Sequence, residues 1–494
     1  MNSFKLTISF QQSLFFLAFL ILLTTNSFAE DHKKSENNTI TSIVAKFSTI
    51  KSQPGDSNTW FNHDKLRLVQ KKMVGDFLLY AHTNKKNIDK NSKVGWTIRT
   101  NLEDSSPQIN AIVQNNGIPF LQYKETSGGP TSKEIRSKIT NADVIQLERK
   151  GNTYTMRVAT FGEPFVTEEV TNLNLGDEVY VGLFMDENNK SEKEFYNDVR
   201  ITIPAGENFV QYKEYLGSNI ELLEIATGKR EIIYTSSKSL QAPNWTVDGK
   251  SLIYNSEGLM YNFDLTKRKP TLINTGDVKS NNNDHVLSFD GRMLGLSSSV
   301  RELGGSIVWT VPITGGIPKQ ITPQGPSYLH GWSPDGKYLL FTGSRNKEFD
   351  IYRIPSDGGP EVRLTTAEGL DDGSEYTPDG KYIYFNSNRT GTMQIWRMKA
   401  DGSQQEVVTD GEFHDWFPHV SPDGKWVVFL SFLKEEVESG DHPFYKHVYL
   451  RIIPITGGTP KVIAYVYGGQ GTINTPSWSP DSKKIAFVSN SKLD

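Results

Sequence analysis

The sequence predicts an all-β protein in two parts, and three observations lead to this fold class. A turn motif built on aspartate recurs at near-constant intervals through the second half of the chain. Short stretches in which apolar and polar residues alternate, typical of half-buried strands, run through both halves. Residues 41–204 show no helical periodicity. We therefore expect the apolar residues to be buried between β-sheets.

The N-terminus has the order of a secretory signal peptide. Lys5 supplies a positive charge, Leu14 to Leu23 is almost entirely apolar, and small residues precede the bond after Ala29. A membrane anchor is the alternative, but this apolar run is shorter than the roughly 20 residues that span a bilayer. We predict a signal peptide over residues 1–29, a disordered polar leader over residues 30–40, and no membrane span after cleavage.

The composition excludes several classes of function. The 494 residues include no cysteine, which excludes a lipid-attachment cysteine, a thiol nucleophile and a thiolate metal site. The formal net charge is −4 with both signs mixed, and no basic stripe indicates a nucleic-acid surface. Buried apolar area must stabilise the protein, and the chain is long enough for two cores. We predict a monomer.

Residues 41–204 have no internal repeat. Alternating stretches such as Val94 to Arg99 and Val179 to Met185 are separated by turn residues such as Lys150 to Asn152. This pattern predicts a β-sandwich of about 160 residues. Residues 205–216 are predicted to be the linker to the second part.

Residues 217–494 contain the aspartate turn motif in six places. The aspartates are Asp248, Asp290, Asp335, Asp379, Asp423 and Asp481. They recur 42 to 45 residues apart, except for a last interval of 58. Units of about 40–45 residues with four strands, here named A to D, are typical of β-propeller blades. In the A–B turn, proline presets φ, aspartate caps its own backbone and glycine accepts a positive φ.

The two ends of the repeat region are predicted to share one blade. Residues 219–235 have the pattern of strands C and D, and residues 476–490 that of strands A and B. Together with five internal blades they predict a six-bladed ring without an open sheet edge. No Gly-x-Ser-x-Gly elbow of a hydrolase is present.

The repeated turn, as in Ser333 to Lys337 and Ser421 to Lys425, resembles that of the TolB family of periplasmic propellers. The resemblance covers residues 217–494 and implies a periplasmic or secreted protein with envelope partners. Residues 410–475 depart from it, because they are longer and richer in polar and aromatic residues than any other blade.

The first part resembles concanavalin-like jelly rolls. The resemblance rests on Gly95 to Arg99, Leu147 to Gly151 and Val181 to Leu183. In such families the domain often contacts carbohydrate, although the fold also occurs without a ligand.

The start of strand A lines one rim of the central channel in a propeller. The residues expected there are Asn244, His285, His330, Glu375, His419 and Ser477. Three histidines and a carboxylate make this rim more polar than packing between strands requires. The B–C and D–A connections are expected to open on the same rim, where long loops on a rigid scaffold favour binding.

The candidate ligand-binding residues come mainly from the unusual segment. They are His414, Asp415, Trp416, Asp441, His442, Tyr445, Lys446, His447, Arg389, Arg451, Gln470 and Asn474. Each aromatic ring either packs the base of a loop or stacks on a sugar. Each histidine is either a hydrogen-bonded structural residue or a metal ligand. The glycine-rich loop Gly468 to Gly471 lacks the Lys-Ser/Thr of a phosphate loop.

Two functions remain open from the sequence. The first is an exported binding protein that recognises a polysaccharide or an envelope protein or peptide at this rim, without a certain cofactor. The second is a carbohydrate-active enzyme that resembles the propeller polysaccharide lyases, which use rim histidines and a divalent metal.

The lyase hypothesis assigns roles to particular residues. The catalytic candidates are His330, Glu375 and His419, with either histidine as the base. The metal candidates are Glu375, His414 and His442, and the candidates for pairing with a substrate carboxylate are Lys446, Arg389 and Arg451. The spacing of metal ligands in those lyases is not reproduced here.

Overall fold

The computed structural model consists almost entirely of β-strands, with 3₁₀ turns at Lys85–Asn87 and Arg301–Leu303, and the all-β prediction is confirmed. The structure describes residues 59–61, 66–88, 92–103, 105–114, 117–128, 133–186, 196–345 and 347–493. The predicted signal peptide (1–29) and leader (30–40) lie outside this set. Within it, no helix has the length and apolar character needed to cross a membrane.

The strands before residue 203 form two antiparallel sheets. They are β1 (Thr59–Phe61), β2 (Leu66–Val74), β3 (Phe77–Thr83), β4 (Lys93–Arg99), β5 (Gln108–Gln114), β6 (Phe120–Lys124), β7 (Lys133–Arg136), β8 (Val144–Lys150), β9 (Thr153–Ala159), β10 (Val166–Val170), β11 (Glu178–Asp186) and β12 (Tyr196–Thr202). One sheet has the order β1-β2-β11-β4-β5-β6-β7 and the other the order β10-β9-β8-β3-β12.

Strand alternation directs one set of apolar side chains of each sheet into a shared core. Val94, Trp96 and Ile98 of β4 are fully buried. They belong to the same cluster as Leu79 and Leu147 of the other sheet. Because burying one large apolar side chain contributes about 1.5–3 kcal/mol, this cluster gives the first part of the chain a core of its own.

The strands after residue 216 belong to the repeat region. They are β13 (Gly217–Glu224), β14 (Arg230–Ser236), β15 (Gln241–Trp245), β16 (Ser251–Ser256), β17 (Leu259–Asp264), β18 (Lys269–Leu272), β19 (Asn281–Leu287), β20 (Met293–Val300), β21 (Gly305–Pro312), β22 (Lys319–Gln320), β23 (Ser327–Trp332), β24 (Tyr338–Ser344), β25 (Phe349–Pro355), β26 (Val362–Arg363), β27 (Asp371–Tyr376), β28 (Tyr382–Ser387), β29 (Gln394–Lys399), β30 (Glu406–Val407), β31 (Phe413–Val420), β32 (Trp426–Leu433), β33 (Lys446–Pro454), β34 (Lys461–Gly468) and β35 (Lys484–Ser491).

These strands form successive antiparallel sheets. Five of them are four-stranded and contiguous in sequence: β15 to β18, β19 to β22, β23 to β26, β27 to β30 and β31 to β34. The remaining sheet, in the order β14-β13-β35, joins both ends of the region. Its pairing runs from Gly217 opposite Ser491 to Glu224 opposite Lys484, and Trp478 forms a bridge with Ile485.

The repeated turn has the hydrogen bonds that its sequence predicts. Ser333 Oγ donates to Asp335 Oδ1 at 2.7 Å, and Lys337 N donates to the same oxygen at 3.1 Å. Gly336 has a φ of 72°, a conformation that costs glycine little. In the last repeat Ser482 replaces the glycine and adopts a φ of 59°.

Tryptophans at the ends of A strands connect neighbouring sheets. Trp332 Nε1 donates to Val286 O of the preceding sheet at 2.9 Å. Trp478 Nε1 donates to His419 O at 3.0 Å in the same way. The recurring aromatic residue before the turn therefore fixes one sheet against the next.

The two parts of the chain are in direct contact through β33 and β34. Phe165 N donates to Tyr449 OH at 3.1 Å, and Tyr465 OH donates to Glu163 O at 2.6 Å. The rings of Phe165 and Tyr465 lie 4.3 Å apart. Aromatic residues of the long segment 410–475 thus form the surface against which the N-terminal sheets pack.

A buried ionic network reinforces this contact. Glu221 of β13 pairs with Arg230 at 3.0 Å and with Arg200 of β12 at 2.9 Å. Asp198 pairs with Arg200 at 2.7 Å and lies 3.5 Å from Arg230. The network joins Asp198 and Arg200 of the first part to Glu221 and Arg230 of the second. It therefore fixes the orientation of the two parts relative to each other.

Candidate functional site

A cavity of about 570 Å³ opens where several connections of the repeat region meet. Its walls include the β14–β15 connection at Ser237 to Ser239 and the β16–β17 turn at Glu257 and Gly258. Phe444 and Gln470, from the loops on either side of β33 and β34, complete it. B–C and D–A connections therefore line the same cavity.

The lining is polar but nearly free of net charge. Its amide side chains are Gln241, Asn255, Asn281, Asn282, Asn283 and Gln470. The only charged lining residues, Lys238 and Glu257, form an ion pair with each other. Hydroxyl and amide groups of a neutral ligand match such a surface better than an isolated charge does.

The segment between β12 and β13, residues 203–216, supplies an aromatic wall. Tyr212 and Tyr215 pack edge-on against Phe444, with ring centroids 5.5 Å and 5.9 Å apart. Tyr212 OH donates to Gln470 Oε1 at 3.3 Å. We call residues 203–216 the connecting segment. Through these contacts it forms part of the cavity.

A buried group of acids and one histidine lies next to the cavity. His330 Nε2 is 2.8 Å from Asp372 Oδ1. Burial opposes a charge on either group, but their attraction outweighs it, so the pKa of His330 is raised and that of Asp372 falls to about 2. Burial raises the pKa of Asp284 to about 6, opposed by the nearby His330.

Two of the predicted ligand-binding residues reach this group. Asn474 Nδ2 donates to Asp284 Oδ1 at 2.7 Å. The ring of His442 lies 4.3 Å from that of Trp416, and burial lowers the His442 pKa despite the attraction of Asp372. The site residues His330, His442 and Asn474 are therefore brought together.

Glu375 and His419 form a second, self-contained pair. His419 Nδ1 lies 2.7 Å from Glu375 Oε2, and its Nε2 donates to Ile473 O at 2.7 Å. The other oxygen of Glu375 accepts from Val420 N at 3.1 Å. Both ring nitrogens of His419 are thus engaged within the protein.

The other rim candidates are internal to the sheets. His285 is fully buried with Nε2 3.3 Å from Ile253 O, and burial lowers its pKa to about 4. Asn244 Oδ1 accepts from Leu287 N at 3.0 Å. Ser477 is buried as well. These three residues have structural roles.

Two predicted ligand-binding residues bind other parts of the chain instead. His447 Nδ1 lies 2.6 Å from Glu436, and its Nε2 lies 3.5 Å from Glu148 of β8, so His447 belongs to the contact between the two parts. Tyr445 OH accepts from Leu216 N at 3.0 Å and anchors the connecting segment. Their prediction as ligand-binding residues is not supported by this geometry.

Both candidate arginines are already paired. Arg389 holds both oxygens of Asp371, at 2.9 Å and 2.8 Å. Arg451 Nη1 lies 3.3 Å from Asp415 Oδ1. Burial raises the pKa of Asp415, opposed by Arg451. Neither arginine is available to pair with a substrate carboxylate.

The remaining candidates are scattered. His414 is buried and accepts from Met393 N at 3.4 Å, Asp441 is exposed, Trp416 is fully buried, and Lys446 begins β33. Among the described residues, no three His, Asp or Glu side chains are grouped to hold a metal ion. Glu375, His414 and His442 make separate contacts: Glu375 pairs with His419, His414 accepts from Met393 N, and His442 packs against Trp416.

The repeat region is similar to proteins of known family. Residues 330–442 match the family described as the TolB beta propeller domain. An uncharacterized protein of Agrobacterium fabrum is 45% identical over 272 residues, which is 55% of this chain and 92% of that protein. This chain belongs to the TolB β-propeller family.

Solved structures also match this TolB-family chain. A structure from Agrobacterium tumefaciens, provisionally assigned to TolB, is 45% identical, covers 56% of this chain and 99% of its own, and has a TM-score of 0.54. TolB from Acinetobacter baumannii is 17% identical over 66% of this chain and 79% of its own, with a TM-score of 0.40. The remainder of this chain has no counterpart in the two Agrobacterium relatives.

Sequence reasoning missed most of the cavity in this TolB-family protein. The run Asn281 to Asp284 begins strand A of the second four-stranded sheet, and three consecutive asparagines before an aspartate are a visible signal. Tyr212 and Tyr215 were placed in a linker, where no function was assigned. Of the predicted ligand-binding residues, Gln470 lines the cavity.

Proposed function

We propose that this protein is an exported, non-catalytic binding protein that holds a polar ligand, a polysaccharide or an envelope peptide, at one propeller rim. The observation that carries the proposal is the cavity of about 570 Å³, with its amide-rich lining and its one internally paired Lys238–Glu257 couple. Concave sites with a few convergent polar groups beside aromatic rings are typical of ligand binding.

The architecture belongs to the same proposal. We take the successive sheets of residues 217–494 as six blades of a closed ring, since each sheet contacts the next and β15 contacts β35. We take residues 41–204 as a concanavalin-like jelly roll joined through a linker at 205–216. The aromatic and ionic contacts between the two parts support one rigid unit.

Binding is favoured over the lyase hypothesis by the state of the proposed catalytic groups. A base must reach a substrate proton with a free lone pair. His419 is engaged at both nitrogens, and His330 is in a buried pair with Asp372. Arg389 and Arg451 are paired as well. These contacts engage both nitrogens of His419, one nitrogen of His330 and both arginines within the protein.

Export rests on the N-terminal sequence. Expression of the full chain in a Gram-negative host, followed by fractionation and N-terminal sequencing, is expected to give a periplasmic protein that starts at Glu30. A cytoplasmic protein that retains its first residues would contradict export without affecting the binding proposal.

The binding proposal is tested with the mature protein immobilised on a surface. It is exposed to a panel of polysaccharides and to an envelope extract, and both retention and ligand length are measured. Retention without shortening is expected. Ser237→Trp, which fills the exposed mouth of the cavity, is expected to abolish it, whereas Ser403→Trp on a distant exposed turn is not. Shortened, unsaturated products would establish an enzyme instead.

A further inference from the structure

We propose that the cavity binds a neutral sugar residue, with Asn281 and Asn283 contacting a hydroxyl and Tyr212 and Tyr215 stacking on the ring. This inference rests on the proposed function and narrows its ligand class. It commits to a sugar without a carboxylate group, and it makes the connecting segment part of the binding site.

Two buried amide atoms in the cavity lining carry the first part of the argument. Asn283 is 3% exposed, and its Nδ2 has no hydrogen-bond partner in the protein. Asn281 is 5% exposed, and its Oδ1 is likewise without a partner. Buried polar atoms are almost always satisfied, so unsatisfied ones that line a cavity point to a ligand.

The two atoms differ in their hydrogen-bonding character. The amide nitrogen of Asn283 donates, and the amide oxygen of Asn281 accepts. A hydroxyl both accepts and donates through one oxygen, so an array of sugar hydroxyls satisfies both atoms. Asn281 is held in place because its own Nδ2 donates to Gly258 O at 2.8 Å and to Val278 O at 3.1 Å.

The charges of the lining argue against an acidic sugar. A carboxylate is bound most strongly by an arginine or another free cation. The cationic lining residue, Lys238, is paired with Glu257, and Asp284 stands behind Asn282. A uronate would therefore find Lys238 already paired, whereas a neutral residue can bind to the amides without a cation.

The connecting segment supplies the apolar contact that a sugar ring requires. Tyr212 is 57% and Tyr215 45% exposed, and their edge-on packing against Phe444 leaves ring faces uncovered. Exposed rings with a polar tip are suited to a ligand that has both C–H faces and hydroxyls. The Tyr212–Gln470 hydrogen bond holds one ring in position before binding.

A peptide is the competing ligand, and two observations favour a sugar. The polar atoms without partners belong to Asn281 and Asn283, two almost fully buried residues that line the cavity. A volume of about 570 Å³ also lies within the roughly 300–1,000 Å³ of small-molecule sites, where a short ligand is enclosed.

The test uses the full mature protein and isothermal titration with defined probes. The probes are neutral hexose and N-acetylhexosamine oligosaccharides, galacturonate oligomers and unrelated tripeptides. Neutral oligosaccharides are expected to bind. Asn283→Ala and Tyr212→Ala are each expected to weaken binding about tenfold, which corresponds to about one lost hydrogen bond or stacking contact. Tyr212→Phe retains the ring but loses the hydrogen bond to Gln470, and it is expected to weaken binding less than Tyr212→Ala.

Controls separate this inference from the proposed function. Trp426→Ala removes an exposed aromatic ring at the start of β32, outside the cavity, and is expected to leave binding unchanged. If neutral sugars bind but both cavity variants bind equally well, the inference is wrong and the proposed function stands. Binding of only tripeptides or only uronates overturns the inference in the same way. If the protein retains none of these probes and no envelope component, both proposals fail.

Discussion

Asn282 Nδ2 donates a hydrogen bond to Asp284 Oδ2 at 2.6 Å, which joins the wall of the cavity to the buried acidic group behind it. Asn474 donates to the other oxygen of Asp284 at 2.7 Å. Both carboxylate oxygens are thus held by amides, while His330, whose charge opposes the rise in the Asp284 pKa, is already paired with Asp372. The protonation state of Asp284 therefore contributes to both stability and the shape of the cavity.

The first prediction concerns the pH dependence of stability. Burial raises the Asp284 pKa from 3.8 to about 6, so the folded protein holds this proton more tightly than the unfolded chain. This contribution is fully present below about pH 4 and is lost as pH rises through about 6. Through this group the free energy of unfolding of the native protein is expected to fall by roughly 2–3 kcal/mol between pH 4 and pH 7. Asp284→Asn is expected to remove this decline, as measured by urea unfolding across that range.

A matched control is available in the same sheet. Asp290 is exposed in the A–B turn, and the hydrogen bond from Ser288 lowers its pKa, so it titrates below this window. Asp290→Asn is expected to preserve the native decline between pH 4 and pH 7. An unchanged decline in Asp284→Asn would show that Asp284 is not the responsible group.

The second prediction concerns the His330–Asp372 pair. His330→Gln leaves the buried Asp372 carboxylate without its cation, and such losses typically cost about 3–5 kcal/mol of unfolding free energy. The double variant His330→Gln with Asp372→Asn is expected to recover part of that loss. Denaturant unfolding at pH 6 measures both. Equal destabilisation by the single and double variants would argue that packing, and not the ion pair, determines the effect.

The third prediction concerns the contact between the two parts of the chain. Glu221→Gln removes the carboxylate that pairs with both Arg200 and Arg230, and we expect a loss of about 3–5 kcal/mol. Glu178→Gln breaks an exposed pair with Lys72 and is expected to cost at most about 1 kcal/mol. Limited proteolysis is expected to cleave the connecting segment faster only in Glu221→Gln.

Local signals were sufficient to predict the all-β class and the propeller repeat, because each unit of the repeat has the same turn and strand pattern. The Ser333–Asp335 turn depends on residues that are close in sequence and was predicted from it, whereas the hydrogen bond from Trp332 reaches Val286 in the preceding sheet. The strand patterns at the two ends are also visible locally, although β13 and β35 pair from opposite ends of the repeat region.

The site was less predictable, because its contacts are long-range. His447 was predicted to bind a ligand, yet it packs against Glu148, about 300 residues earlier in the chain. Arg389 and Arg451 carry the charge that a lyase requires, but nothing local to them reveals that Asp371 and Asp415 neutralise it. Tyr212 enters the cavity because Tyr445 and Tyr467, more than 200 residues later in the chain, anchor the connecting segment there.

The last prediction concerns the glycine-rich loop after β34. Gly469 has a φ of 137°, and a Cβ there would lie 2.1 Å from Pro443 O, so only glycine allows the two loops that carry Phe444 and Gln470 to approach. Gly469→Ala is expected to lower the free energy of unfolding by at least about 1–3 kcal/mol and to weaken ligand binding at the rim. Gly424→Ala, at a turn where φ is also positive but a Cβ meets no atom within 4 Å, is the control. Native binding by Gly469→Ala would show that the cavity does not depend on this close approach, and therefore that the ligand binds elsewhere on the rim.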